Sequence, residues 1–155
     1  MIHQDELHIR TMTQQEVATV ASAWAAKEGW NPGVHDADSF YRTDPNGFFV
    51  GLLGAEPVAC ISVIAYDESF GFLGFYIVKE GYRGLRHGIT IWNHGIAYLG
   101  NRNIGLDGVV AQQENYKKSG FVFAYNNIRF EGVSKKYETE AGFLVSSDSL
   151  SFHAI

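Results

Sequence analysis

The stretch from Phe70 to Gly88 limits what this chain can fold into more than any other. It reads Phe-Gly-Phe-Leu-Gly-Phe-Tyr-Ile-Val-Lys-Glu-Gly-Tyr-Arg-Gly-Leu-Arg-His-Gly. The aromatic and β-branched run predicts a strand over Phe70–Val78. A short turn bearing glycine and arginine follows, and a helix opens at about Gly88. A tight turn into a helix start gathers backbone N–H groups at one spot, with the positive end of the helix dipole behind them. That is an anion site, and phosphate suits it. Gly71 and Gly74 interrupt the strand, and glycine there marks a bulge or a close backbone approach.

The remaining elements arrange themselves around this unit. Leu7–Met12 alternates and predicts a first strand. Thr13 with Glu16 three residues on forms a capping box. The helix behind it carries an apolar stripe of Val17, Val20, Ala21, Trp24 and Ala25, ending at Glu28-Gly29. Trp30-Asn31-Pro32-Gly33 is a turn whose tryptophan is either a pocket plug or a lid on the core. Asp36–Arg42 predicts a short helix with Asp36 and Asp38 as caps, stopped at Asp44-Pro45-Asn46-Gly47. Phe48–Leu53, Val58–Tyr66 and Phe70–Val78 read as an antiparallel meander. After the turn, Ile89, Trp92, Ile96 and Leu99 mark the buried face of a helix closed by Gly100-Asn101. A strand Ile104–Val110, a helix Gln112–Ser119 and a strand pair Phe121–Tyr125 and Ile128–Val133 complete the pattern. The order β-α-α-β-β-β-α-β-α-β-β is an α+β plan with a mixed central sheet.

Composition excludes several classes of function. A chain of 155 residues that is 46% hydrophobic folds around one core. Its net charge of −5 argues against broad nucleic-acid binding. Cys60 is the single cysteine, so no intrachain disulfide forms, and it reads as a plain buried thiol. No apolar run approaches the ~20 residues of a membrane span, and the N-terminus is polar; a cytoplasmic protein without membrane or nucleic-acid partners is the expectation. The histidines lack metal-ligand spacing with acids or cysteine, so no metal is expected. No Gly-x-Ser-x-Gly nucleophile elbow is present.

Val78 and the following Tyr82-Arg83-Gly84-Leu85-Arg86-His87-Gly88 resemble the acetyl-CoA motif of the GNAT N-acetyltransferases. That motif runs Gln or Arg, two residues, Gly, one residue, then Gly or Ala. Asn115-Tyr116-Lys117-Lys118-Ser119-Gly120-Phe121 is similar to the family's second signature, a Tyr four residues before a Gly-Phe pair. The element order matches over about 7–133. Gly-Trp-Asn-Pro-Gly, Gly-Leu-Asp-Gly-Val and Asn-Tyr-Lys-Lys-Ser-Gly-Phe resemble a less-studied branch, whose members often carry a second C-terminal domain. The resemblance divides the chain into an acetyltransferase domain, 1–133, and a tail, 134–155, which either wanders over the surface or is the stub of such a second domain. Arg83 matches the leading position and Gly88 the last small residue, but Arg86 occupies the middle glycine position. Arg86 either crowds the loop, if positive φ is needed there, or adds a cation for the phosphates.

The resemblance implies a GNAT-like sheet with a splayed strand pair, Phe70–Val78 and Ile104–Val110, and acetyl-CoA as cosubstrate in the gap. Backbone groups at Tyr76 and Val78 would pair with the pantetheine arm. The amides of Arg83, Gly84, Leu85, Arg86, His87 and Gly88 would receive the pyrophosphate. Tyr76 or Ile77 would offer its N–H to the oxyanion, and Tyr116 would protonate the departing sulfur. The acceptor would be an amine of a small molecule or an amino terminus. Many relatives carry a carboxylate base six positions before the residue matching Val78; here that position is Phe72. Asp67, Glu68, His35 and Asp36 are candidates for the base by residue type alone, and His94 reads as a packing residue. A non-catalytic acyl-CoA-binding module is the alternative, and an apolar edge strand near the C-terminus leaves a homodimer open.

Overall fold

The run Val58–Ile64 carries an apolar or small side chain at every position, the pattern of a strand covered on both faces. In the structure, a computed structural model that describes residues 6–128 and Gly132, this run is buried throughout and lies in the middle of a five-stranded sheet. The strands are β1 His8–Thr11, β2 Phe48–Leu53, β3 Glu56–Ala65, β4 Phe70–Val78 and β5 Asn103–Leu106, side by side in that order. β1 to β4 pair antiparallel, while β5 joins β4 in parallel. A parallel neighbour needs a crossover, and helix α4, His87–Leu99, supplies it.

The first helical run has two α-helical ends, α1 Gln14–Glu16 and α2 Ala23–Lys27, joined by a π-helical segment Val17–Ser22. The expected capping box is present: the Glu16 N–H donates to Thr13 Oγ1 at 3.3 Å, and the Thr13 N–H to Glu16 Oε2 at 2.9 Å. At the other end Gly29, at φ +79°, donates to the Ala26 carbonyl and Trp30 to the Ala25 carbonyl. This is a complete Schellman stop. The π-helical turn has no signal in the apolar stripe, which reads as an ordinary helix. Helix α3 spans Asp36–Thr43. Its N-cap is His35, with no side-chain cap bond. Asp36 instead accepts from the Gly33 N–H at 2.8 Å, and Asp38 from Gln14 Nε2 at 3.1 Å.

Strand alternation divides the sheet into two apolar faces. Phe48, Val50, Leu52, Cys60, Ile64 and Ile77 pack with Val17, Val20, Ala21 and Ala25 of the first helical run. Trp24, Trp30 and Phe40 close over that core, so Trp30 is a lid on it. The other face receives α4, whose Ile91, Trp92 and Leu99 are buried. Gly95 lets the helix come close: a Cβ there would lie 2.9 Å from Val63 Cγ1. At the end of this face the buried Asp44 carboxylate ties three elements together. It accepts from the Ala65 N–H at 2.9 Å, the Asn46 N–H at 3.1 Å and the Tyr98 hydroxyl at 2.9 Å. Burial and this bond push the Tyr98 phenol up to about 12.

The described residues fall into two compact units that divide between Val109 and Val110. The second contains a 3-10 turn, Val110–Gln112, and helix α5, Gln113–Lys118. The predicted strand Ile104–Val110 is therefore shorter, as β5 stops at Leu106. Phe121–Tyr125, expected as a strand, has no regular structure. Most of the expected Ile128–Val133 strand, and the whole tail 134–155, lie outside the described residues.

Candidate active site

The β4–β5 ladder runs from Phe70↔Asn103 to Leu73↔Leu106 and stops there. β4 continues to Val78 without β5 beside it. Just past the last rung, β4 bulges. Its register against β3 shifts between Cys60↔Ile77 and Ser62↔Gly74, so Phe75 and Tyr76 together oppose Ile61. Phe75 takes φ +43°, a left-handed conformation that costs a bulky residue energy. The glycines predict a disturbance here, but the strained residue is the aromatic next to Gly74. Packing holds it: the Phe75 ring meets Phe40 edge-on at 6.3 Å and Phe48 at 6.5 Å. Gly71 instead allows the α4 approach, since a Cβ there would lie 2.5 Å from Leu99 Cδ2.

Backbone direction past the bulge can be read from its bonds. The Lys79 N–H donates to the Val58 carbonyl at 2.9 Å, and Ile77, two residues earlier and opposite Cys60, turns its N–H the same way. Both amides thus face β3. Alternation turns the N–H groups of Tyr76 and Val78 to the opposite side, where the strand is open. The Val78 carbonyl shares that side and accepts from Arg83 Nε at 2.8 Å. Cys60 is buried, and burial raises its thiol far above the usual range; it is a packing residue.

Arg83 is a brace for the loop. Besides the Val78 carbonyl it binds Glu28 at 2.6 Å, joining the end of the first helical run to the turn. Its N–H is also engaged, with the Glu80 carbonyl at 3.2 Å. Gly84 and Arg86 both adopt left-handed φ, +78° and +68°. Arg86 is the residue before α4, without a side-chain cap. The first intrahelical bond joins the Thr90 N–H to the Arg86 carbonyl at 3.1 Å. The amides of His87, Gly88 and Ile89 therefore form the open end of the helix. At Gly88 a Cβ would lie 2.7 Å from Tyr76 Oη and 3.3 Å from Val78 Cγ2. A small residue there lets α4 start directly against the open end of β4.

The other sequence candidates scatter. Asp67 accepts from Ser69 and from the Phe70 N–H, capping its own turn, which holds its carboxyl below the usual range. His94 stacks edge-on against Phe49 at 4.6 Å. Tyr116 lies on α5 in the second unit, where its carbonyl accepts from the Phe121 N–H at 3.1 Å. An open depression of about 300 Å³ lies on the α4 face, lined by Thr11, Asn46, Phe49, His94, Ala97 and Tyr98; it includes none of the loop residues. Among the described residues no cluster of His, Cys, Asp or Glu could hold a metal, and no helix is long and apolar enough to cross a membrane.

A short parallel ladder and a bulge leave the end of β4 without β5 beside it, next to the start of α4. Comparison with known proteins shows the family. The profile of the Acetyltransferase (GNAT) family matches residues 12–121. Holothin acyltransferase of Pseudoalteromonas sp. (strain SANK 73390) is 38% identical over 114 residues, covering 74% of this chain and 39% of that protein. The chain thus spans about two fifths of that relative's length. Among solved structures, a proposed acetyltransferase from Pyrococcus horikoshii superposes with TM-score 0.71 at 21% identity, over 88% of this chain and 50% of that one. A Clostridium acetobutylicum acetyltransferase crystallised with acetyl-CoA gives TM-score 0.59 at 16% identity, over 77% and 92%.

Proposed function

Since the chain belongs to the GNAT acetyltransferase family, we propose that it transfers an acyl group, in the first instance acetyl, from coenzyme A to an amine. The observation that carries this reading is β4 running on past Leu73↔Leu106 and ending against the open start of α4. The pantetheine arm lies along the open edge of β4 and takes the Val78 N–H; the Val78 carbonyl is already held by Arg83. The pyrophosphate sits at the amides of His87, Gly88 and Ile89, beside the turn at Gly84 and Arg86. Of Tyr76 and Ile77, Tyr76 donates to the oxyanion, because the Ile77 N–H is turned toward β3. One such donor is worth about 10²–10³ in rate. Tyr116 gives its phenolic proton to the departing sulfur. The holothin acyltransferase relative supports a small amine as acceptor over an amino terminus. Cytoplasmic residence is part of this reading.

Calorimetry with CoA and acetyl-CoA, followed by thiol release with an amine panel, tests the proposal. Both cofactors bind, an amine accelerates thiol release, and Tyr116→Phe loses at least tenfold in turnover while still binding CoA. Absence of CoA binding would overturn it. Phe72 on β4 and the left-handed Arg86 favour a second reading, an acyl-CoA-binding module without turnover. Binding without thiol release across the panel would select that one.

A further inference from the structure

Aminolysis of a thioester leaves a proton on the attacking nitrogen, and β4 offers nothing to take it. The β4 residues on the face of the first helical run are Phe70, Phe72 and, past Gly74, Phe75. Ile64 of that core pairs with Phe72, and Phe75 packs on it. β5 differs. Its last paired residue is Leu106, and the next residue is Asp107. On β5, Gly105 abuts Phe72 and Phe70: a Cβ there would lie 3.1 and 3.4 Å from their rings. Asp107, two residues on, continues that face and is exposed.

Building on the acyl-transfer reading above, we infer that Asp107 is the general base of this site. The strands are about 4.8 Å apart at the last rung. Asp107 is one residue past it, roughly 3.3 Å along β5. Tyr76 is three residues past it with one absorbed by the bulge, so roughly 7 Å along β4. The carboxylate and the oxyanion donor therefore flank a gap that holds one acyl carbon and one nitrogen, with room for a water. In the step itself the amine nitrogen bonds to the thioester carbon and the C–S bond breaks. The nitrogen's proton passes to the Asp107 carboxylate, directly or through that water, and the thiolate takes its proton from Tyr116. The sequence pattern misses this residue because it sits where a strand was expected to continue to Val110.

The test uses the full chain. Asp107→Asn, Asp107→Glu and wild type are compared by thiol release from acetyl-CoA with aniline, benzylamine, tyramine and spermidine, and by calorimetry with CoA. General-base catalysis is worth about 10²–10⁴. Asp107→Asn should lose at least 10² in kcat with CoA affinity within about twofold, and Asp107→Glu should recover part of the rate. A second readout needs no acceptor: in ¹³C-aspartate-labelled protein the carboxyl signal lost in Asp107→Asn should move when acetyl-CoA is added. An Asn variant within threefold of wild type, or a carboxyl signal unmoved by bound acetyl-CoA, overturns the inference and leaves the transferase reading standing. Failure of wild type to bind acetyl-CoA overturns both.

Discussion

Replacing Arg86 by glycine separates two effects that this position combines. At φ +68° an L-residue suffers a clash between its Cβ and backbone that glycine avoids. The penalty is about 1–2 kcal/mol. Glycine also loosens the unfolded chain, which takes back about 0.4–1 kcal/mol. Arg86→Gly should therefore stabilise the protein by about 0.5–1 kcal/mol, a rise of roughly 1–4 °C in Tm for a chain of this size. The same change removes a cation beside the proposed pyrophosphate position. An exposed ion contact is worth about 0.2–1 kcal/mol, so CoA affinity should fall up to about fivefold, and less at high salt. Thermal melts and CoA calorimetry read the two effects independently. Arg86→Ala is the control: it keeps a Cβ in the left-handed conformation and loses the charge, so it should lose affinity equally without the gain in Tm. If Arg86→Gly melts below wild type, or Arg86→Ala gains as much as glycine does, the strain argument is wrong.

Two further substitutions test the scaffold. Asp44→Asn leaves one oxygen to meet the N–H groups of Ala65 and Asn46 and the Tyr98 hydroxyl, while its new NH₂ faces donors. A loss of about 2–3 kcal/mol, read by urea denaturation, is expected. Glu16, bonded chiefly by Arg10, is held down to about 2. A carboxyl lowered in the folded state stabilises fully above its ordinary range, near 4.5, and loses that contribution as pH falls toward 2. Glu16→Gln should therefore flatten the stability loss between those pH values, by about 1 kcal/mol given the exposure of the pair; an unchanged acid limb would count against it.

Most of the sheet was legible because its signals are local. The capping box at Thr13, the stop at Gly29 and the turns around Asp67 each depend on residues within five positions of one another. The antiparallel meander follows from the same kind of signal, apolar runs separated by turn residues. What depends on distant packing was not legible. Phe75 bears the left-handed turn of β4 because Phe40 and Phe48 grip its ring, and only the fold brings Phe40 near. Arg83 reads as the leading residue of the phosphate turn, yet its side chain is captured by Glu28, far back in the chain. The end of β5 was placed four residues late because Val109 and Val110 extend the apolar run past the point where β4 stops pairing.

Phe75 and Arg86, two of the three non-glycine residues with positive φ among the described residues, stand at the two ends of the proposed cleft edge. Between them lie the outward N–H groups of Tyr76 and Val78 and the loop that Arg83 braces. Strain of this kind persists only where the surroundings over-determine the backbone, and here they do so differently. Phe75 is fixed by ring packing in the core, so its geometry is set before any ligand arrives. Arg86 is exposed, and its conformation is fixed by the helix it precedes, through the bond from Thr90 N–H to its carbonyl and a second from Thr90 Oγ1 at 3.0 Å. The end of the edge proposed to meet the oxyanion is therefore the rigid one. The end proposed for the phosphates is secured by two bonds to one carbonyl and an exposed ion pair, and is where binding of coenzyme A would have most ordering left to do.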